Sequence, residues 1–325
     1  MNNKTYTTSV IMAVYNGENH IIDQLESIRK QQKKVDEVLM CDDGSTDDTV
    51  AIIRKFIDKY NLDNWKLQIN EKNIGWRKNF INLIHEASGD IIFFSDQDDI
   101  WYDHKVKMMY DHIMKDPDNI KVLVSNYDEL VEEHGVSYPC EKRKIPTQGP
   151  LDYIYFSKKN VFLNRPGWVY AFQKDFVPTF DRYLETSLYP VHDMAMWSSA
   201  VLTDHLYLLN EKTGLWRKHA TSAMQIENEE TEKAAETIKN IRLGKLELLR
   251  KLTVSNLNFV QRTNVPDKVR KEEVLTALLR EFDTRLEVIA EDKSLNVVTN
   301  AKSYSMLHSF LADLLYFAKL RMNKK

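Results

Sequence analysis

Four times within the first hundred residues, a short run of apolar and β-branched side chains stops at polar turn residues and gives way to an amphipathic helix. That alternation leaves few choices: parallel strands in one sheet, covered by helices. Thr7 to Val14 reads as the first strand, Asn16-Gly17 as its turn, and Ile21, Ile22, Leu25 and Ile28 as one helix face. Glu37 to Cys41 is the second strand, stopping at Asp42-Asp43-Gly44-Ser45. Ser45 and Asp48 there have the spacing of a capping box for a helix through Tyr60. The third strand, Lys66 to Asn70, leads through Asn73-Ile74-Gly75 into a helix with Phe80, Leu83, Ile84 and Ala87 on one face. The fourth, Asp90 to Ser95, runs into Asp96-Gln97-Asp98-Asp99. All four strands end in polar residues at one sheet edge, the place where open α/β sheets bind ligands.

Beyond this region the alternation loosens. Lys121 to Asn126, Gly167 to Gln173, His205 to Leu209 and Gly214 to Arg217 read as extended, 131–150 as a polar excursion, and Met194 to Leu202 as a helix. After about Glu227 the pattern is helical, with segments near 230–259, 267–290 and 303–322. The expected architecture is an α/β domain over 1–226 and an appended C-terminal helical region over 227–325. With 325 residues, two units is the ordinary expectation. Charge follows the division: from 232 to 325 there are 18 Lys and Arg against 12 Asp and Glu, leaving 27 against 36 before it. An acidic main body does not suit nucleic acid, whose phosphates need a positive surface.

Asp96, Asp98 and Asp99 crowd one turn after an apolar strand, and a divalent cation would relieve their repulsion. Oxygen ligands with an open side suit Mg²⁺ or Mn²⁺, which share their coordination with substrate phosphates. The plain alternative is that Asp98 or Asp99 caps the helix over 103–114. Asp43, at the same edge, is equally suited to a base or ribose hydrogen bond or to capping its own helix. Asp193 precedes an apolar helix and suits its cap. Trp101 and Trp168 suit stacking on a ligand ring or the core alike.

Taken in order, Ser9-Val10-Ile11-Met12-Ala13-Val14-Tyr15-Asn16-Gly17, Cys41-Asp42-Asp43-Gly44-Ser45, Asn73-Ile74-Gly75 and Ser95-Asp96-Gln97-Asp98-Asp99-Ile100-Trp101 resemble family 2 of the inverting nucleotide-sugar glycosyltransferases over roughly residues 7–220. The form of the acidic turn, with His192-Asp193 and Leu215-Trp216-Arg217-Lys218-His219, is similar to the rhamnosyltransferase-like branch. The resemblance implies a GT-A fold, a Rossmann-like nucleotide half fused to an acceptor half. It implies that Ala13, Val14 and Tyr15 flank the base, that Asp43 meets the nucleoside, and that Asn73 and Arg77 line the donor site. Asp96 would lie by the ribose or metal, and Asp98 would be the main metal carboxylate. Arg217 and His219 would serve the diphosphate, His219 also as a metal ligand, and Asp193 would be the catalytic base. His192 departs from the more common Glu before that base. Gly167-Trp168-Val169 departs from the family pattern at the acceptor border.

The expected function is therefore transfer of a sugar, rhamnose from dTDP-rhamnose first and a UDP-sugar otherwise. The acceptor would be a cell-surface polysaccharide or another glycan, lipid-linked or protein-linked. The chemistry is a metal-dependent single displacement. Two cysteines, Cys41 and Cys140, and no apolar run of membrane-spanning length point to the cytoplasm. The broad apolar face over 303–325, ending in Lys319, Arg321, Lys324 and Lys325, suits peripheral contact at the inner face of the cell membrane. It suits packing on the catalytic domain or homo-oligomerisation as well. Two rivals remain. A non-catalytic nucleotide-sugar-binding scaffold would work through its helical tail, but it would not need Asp43, Asp96, Asp98 and Asp193 together. A nucleotidyltransferase would need a Gly-rich basic loop after the first strand, where the chain has Tyr15-Asn16-Gly17-Glu18.

Overall fold

The computed structural model describes residues 5–137, 149–234, 237–291 and 294–322. Cys140, most of the 131–150 excursion, and Lys324 and Lys325 lie outside the described residues. β1 (Thr8–Val14) is buried along its whole length, as expected of a strand covered on both faces. After α1 (Ile21–Arg29), β2 (Glu37–Asp42), α2 (Thr49–Tyr60), β3 (Trp65–Ile69), α3 (Trp76–Glu86) and β4 (Ile91–Ser95), the four strands lie parallel in the order β3-β2-β1-β4. Their carboxyl ends form one edge. The capping box does not form. Ser45 hydroxyl donates to the Asp42 carboxylate and takes a hydrogen bond from Asn16 N–H, so the helix starts only at Thr49. The nearby carboxylate outcompetes the helix end for the serine, a tertiary effect on a local signal.

The second half of the sheet is mixed. β5 (Ile100–Trp101), α4 (Lys105–Lys115), β6 (Val122–Val131), β7 (Leu151–Tyr153), β8 (Tyr170–Gln173), α5 (Val177–Leu184), α6 (His192–Leu202) and β9 (Leu206–Lys218) complete nine strands among the described residues. β8 runs antiparallel between β4 and β6, β9 runs parallel to β6, and β5 and β7 pair antiparallel with β9. The two extended stretches read at 205–209 and 214–217 are thus one strand, and 167–169 is a 3₁₀ turn rather than the start of a strand. Trp101 and Trp168 do not face a ligand: both are buried and flank the Lys105 ammonium at 4.8 and 5.0 Å from their ring centroids. Burial pushes that lysine down to about 7, and Thr213 Oγ1 accepts its hydrogen bond at 3.1 Å.

After His219 the described chain is helical: α7 (Ala223–Ala234), α8 (Ile238–Arg262), α9 (Lys268–Ala290), α10 (Ser294–Thr299) and α11 (Leu307–Met322). The helices dock on the α/β domain through named contacts. Tyr183 on α5 donates to Asn256 at 2.8 Å, and Lys271 on α9 donates to the Leu202 carbonyl at the end of α6 at 2.9 Å. Within the region, the fully buried Asp313 of α11 accepts from Arg242 on α8, Arg285 on α9 and Tyr304. Removing one partner of such a buried network leaves the others desolvated and unpaired. Asp313→Ala should therefore lower the free energy of unfolding by roughly 3–5 kcal/mol. A chemical-denaturation midpoint equal to the parent's would show that the network carries no stability. Phe317 and Tyr316 turn inward, whereas Leu307, Leu311 and Leu315 are exposed. Among the described residues no helix is long and apolar enough to cross a membrane.

Candidate functional site

The carboxyl edge of β1 to β4 carries the acidic turns, and backbone geometry decides how each carboxylate is used. Asp43 is buried: its carboxylate accepts from Ile74 N–H and Asn70 amide at 2.9 Å each and from Gly75 N–H at 2.8 Å. Gly75 has φ +86°, where a side chain would be strained, and that conformation presents its N–H to Asp43. Asn73 caps the same turn by accepting from Gly75 N–H at 3.1 Å. Tyr15 is exposed beyond the end of β1, and Gln97 grips both its N–H and its carbonyl at 2.8 and 2.9 Å. Ala13 and Val14, by contrast, are buried in the strand.

Asp98 is the meeting point of the late basic residues. Its carbonyl accepts from Arg217 Nε at 2.8 Å, and its carboxylate lies 2.8 Å from His219 Nε2. Arg217 is only 7% exposed and is held further by Asp23 at 2.8 Å and by Glu132, while its backbone N–H goes to the buried Asp99 at 2.9 Å. The His20 ring packs 4.4 Å from that of His219; burial, His219 and Arg217 keep its pKa low. Asp96 lies in the same cluster. Burial, then Asp98, then Asp193 push its carboxyl up to about 8. A group that feels both Asp98 and Asp193 ties the acidic turn to the start of α6, 95 and more residues away in sequence.

Asp193 opens α6. Its carboxylate takes Met194 N–H at 2.6 Å and the Asn164 amide at 3.3 Å, and Asn164 in turn accepts from Tyr170 hydroxyl at 2.8 Å. Burial raises the Asp193 carboxyl to about 6, against these hydrogen bonds and Arg77. His192 points the other way, into an aromatic cage. It stacks on Phe80 at 4.1 Å and meets Trp76 and Phe94 edge-on, and among the described residues neither ring nitrogen has a hydrogen-bond partner. Burial takes its pKa down to about 3, so it is a neutral packing group. A Cβ at Gly167 would sit 2.8 Å from His192 Nε2, which explains a glycine at that departure from the pattern. Arg77, on α3, is engaged by Glu227 of α7 and lies 4.3 Å over the Trp76 ring.

Asp43, Asn73, Asp96, Asp98, Arg217 and His219 thus share one edge with Tyr15, and Asp193 reaches it from the second half of the sheet. Asp23, Glu132, Asn164 and Tyr170, which orient these groups, carried no recognisable sequence signal, and Gln97 stood in the acidic motif without a role of its own. All but Tyr170, which reaches Asn164 six residues away, act across a gap of 29 to 194 residues.

A sequence profile described as Glycosyl transferase family 2 matches residues 9–165. The dTDP-rhamnosyl transferase RfbG of Shigella flexneri is 30% identical over 223 residues, covering 64% of this chain and 71% of that protein. The Escherichia coli UDP-Glc:alpha-D-GlcNAc-diphosphoundecaprenol beta-1,3-glucosyltransferase WfgD is 35% identical over 56% of this chain and 70% of its own length. The structure of Staphylococcus aureus TarS 1–349 in complex with UDP-GlcNAc superimposes with a TM-score of 0.60 at 20% identity, covering 95% of this chain and 81% of that one. The four-strand parallel edge, the GT-A architecture it shares with that structure, and these two bacterial relatives lead to one assignment: the chain is a glycosyltransferase and belongs to glycosyl transferase family 2.

Proposed function

We propose that the enzyme inverts the configuration of a sugar as it moves it from a nucleoside diphosphate to a glycan hydroxyl. Rhamnose from dTDP-rhamnose is the first donor to test and UDP-sugars the second. The acceptor is a cell-surface polysaccharide or another lipid-linked or protein-linked glycan. The observation that carries this reading is that the His192 ring packs 4.8 Å from Phe94, near the end of β4, which sets the neighbouring Asp193 carboxylate beside the same strand end from which the Asp98 turn, with Arg217 and His219 on it, extends. The helical region from 227 onward is assigned as an appendage to a catalytic domain ending at 226, a boundary that falls inside α7 (Ala223–Ala234), whose Glu227 still reaches Arg77 of the catalytic domain.

In the proposed mechanism Asp193 is the base. Ionised above about pH 6 and oriented by Asn164 and Met194 N–H, it takes the proton of the acceptor hydroxyl as the oxygen attacks C1. On the opposite face negative charge grows on the leaving diphosphate. Arg217, already fixed by Asp23 and Glu132, adds stabilisation without reorganising. Asn73, Arg77 and the Asp43-anchored turn hold the donor, with Ala13, Val14 and Tyr15 flanking its base.

The donor set also fits a divalent cation. Among the described residues no three His, Cys, Asp or Glu side chains form a metal cluster. Asp98 and His219 nevertheless meet at 2.8 Å, and two protein ligands with open positions suit Mg²⁺ or Mn²⁺ sharing phosphate and water. Such an ion would neutralise charge on the diphosphate.

The test is a panel of dTDP-rhamnose, UDP-glucose and UDP-N-acetylglucosamine with Mg²⁺ or Mn²⁺, read by nucleoside diphosphate release. Release from none of them, with or without a glycan mixture, would reject this donor class. Asp43→Ala should weaken nucleoside diphosphate binding by roughly 1.5–3 kcal/mol, since it removes charged hydrogen bonds that shape the 73–75 turn. Calorimetry giving equal affinities would remove Asp43 from the donor site. Peripheral membrane contact is assigned to the Leu307, Leu311 and Leu315 stripe of α11. Failure to float with anionic vesicles would withdraw that assignment.

A further inference from the structure

A second hollow lies at the other end of β9. Its volume is about 190 Å³, and Tyr153, Tyr155, Asp204, Asp267, Arg270 and Lys271 line it where β7 and the start of β9 meet α9. Tyr153 pairs with Tyr207 near the start of β9, ten residues before Arg217. At ~3.3 Å per strand residue, the hollow is up to roughly 30 Å from the acidic edge.

Three independent features mark it as built to hold something. Two of the five described non-glycine residues with positive φ, Asp204 at +62° and Asp267 at +49°, line this one hollow, and residues forced into that region concentrate where a fold holds a ligand. The Lys271 ammonium is buried there and fixed by the Leu202 carbonyl and Asp204 carboxylate at 2.9 Å each, so the floor is rigid. Tyr153 and Tyr155 line it as well and stay 41% and 59% exposed, Tyr153 with its hydroxyl hydrogen-bonded to Asp204 and its ring 5.5 Å from that of Tyr207.

The lining selects the ligand class. Two carboxylates balance two cations, so neither a phosphate nor a metal ion is favoured by net charge. The volume falls below the ~300–1,000 Å³ of drug-sized sites and has room for one ring, not a nucleotide sugar. A tyrosine face such as that of Tyr155 can accept the C–H face of a ring, and the Asp267 carboxylate and Arg270 guanidinium can pair with hydroxyls around its edge, Asp204 being held by Lys271 and Tyr153. We propose that this hollow is a second saccharide subsite, taking one neutral sugar ring of the acceptor glycan well away from the hydroxyl that reacts. Its assignment to the acceptor rests on the glycosyltransfer reading above; saccharide binding itself does not.

Saturation-transfer NMR on the full chain tests it, with the methyl glycosides of L-rhamnose, D-glucose, D-galactose and N-acetyl-D-glucosamine at millimolar concentration. At least one glycoside should give a signal that falls threefold or more in both Tyr155→Ala and Arg270→Ala, two exposed positions where folding is not at stake. The signal should persist in Asp193→Asn and resist competition by inorganic phosphate. No signal from any of the four, or a signal unchanged in both variants, would overturn the subsite; displacement by phosphate would make it an anion site instead. Variant-sensitive binding in a protein that releases no nucleoside diphosphate would keep the subsite and reject the donor reading. Donor turnover with variant-insensitive binding would do the reverse.

Discussion

Asp193→Asn should lower sugar transfer by about 10²–10⁴ while leaving nucleotide binding near the parental level, the usual contribution of a positioned base. The amide keeps the shape and its single oxygen can still accept from Met194 N–H, so the start of α6 is held, while the 3.3 Å bond from the Asn164 amide to the other carboxylate oxygen is given up. Its stability should not suffer either. The Asp193 carboxyl is raised to about 6 by burial, so the folded state binds its proton more tightly than the unfolded chain does. The parent therefore loses stability as pH climbs from about 4 to about 6, and at pH 7–8 the variant should melt at the same temperature or higher. The same carboxyl shapes activity. In the parent, kcat/KM should rise with pH up to about 6 and flatten above it, and the variant's residual rate should lack that limb. The product should have the anomeric configuration opposite to the donor's. Retention of configuration, or a variant transferring at the parental rate, would refute the mechanism.

Asp98→Asn is expected to reduce transfer by about 10²–10³, comparable with removing one preorganised charge-stabilising group. Asp98 is the residue at which Arg217 and His219 converge, and one oxygen of its carboxylate already faces His219 Nε2. Neutralising it removes an anionic ligand but leaves the carbonyl that holds Arg217 in place. It also removes one of the two charges that raise Asp96, so the thermal midpoint should hold or rise. Excess EDTA should abolish transfer by the parent, and Mg²⁺ or Mn²⁺ should restore it. Undiminished transfer in EDTA would reject the metal assignment, and a large fall in the midpoint of Asp98→Asn would give Asp98 a structural role instead.

The parallel half of the fold was legible because its signals are local. Apolar periodicity and polar turns are written within ten or twelve residues, and β1 to β4 fall within a residue or two of where those signals put them, while α2 starts at Thr49 rather than just after Ser45. The acidic turns were legible for the same reason, as was Asp193 before its apolar helix. The local signals misled where a distant group competed for the same atoms: Ser45 had the spacing of a cap, yet Asp42 and Asn16 hold its hydroxyl. What only the tertiary structure decided is how the charges are held. Arg217 takes its partners from Asp23, 194 residues away, and Glu132, 85 away. Asp193 takes Asn164, and through it Tyr170, from a segment with no pattern of its own. His192, a departure from the pattern on paper, is a neutral ring caged by Phe80, Trp76 and Phe94. Hydrogen bonds and desolvation depend on which atoms meet in space, and in a mixed sheet whose strand order is β3-β2-β1-β4-β8-β6-β9-β5 those meetings are set by topology rather than by neighbours in the chain.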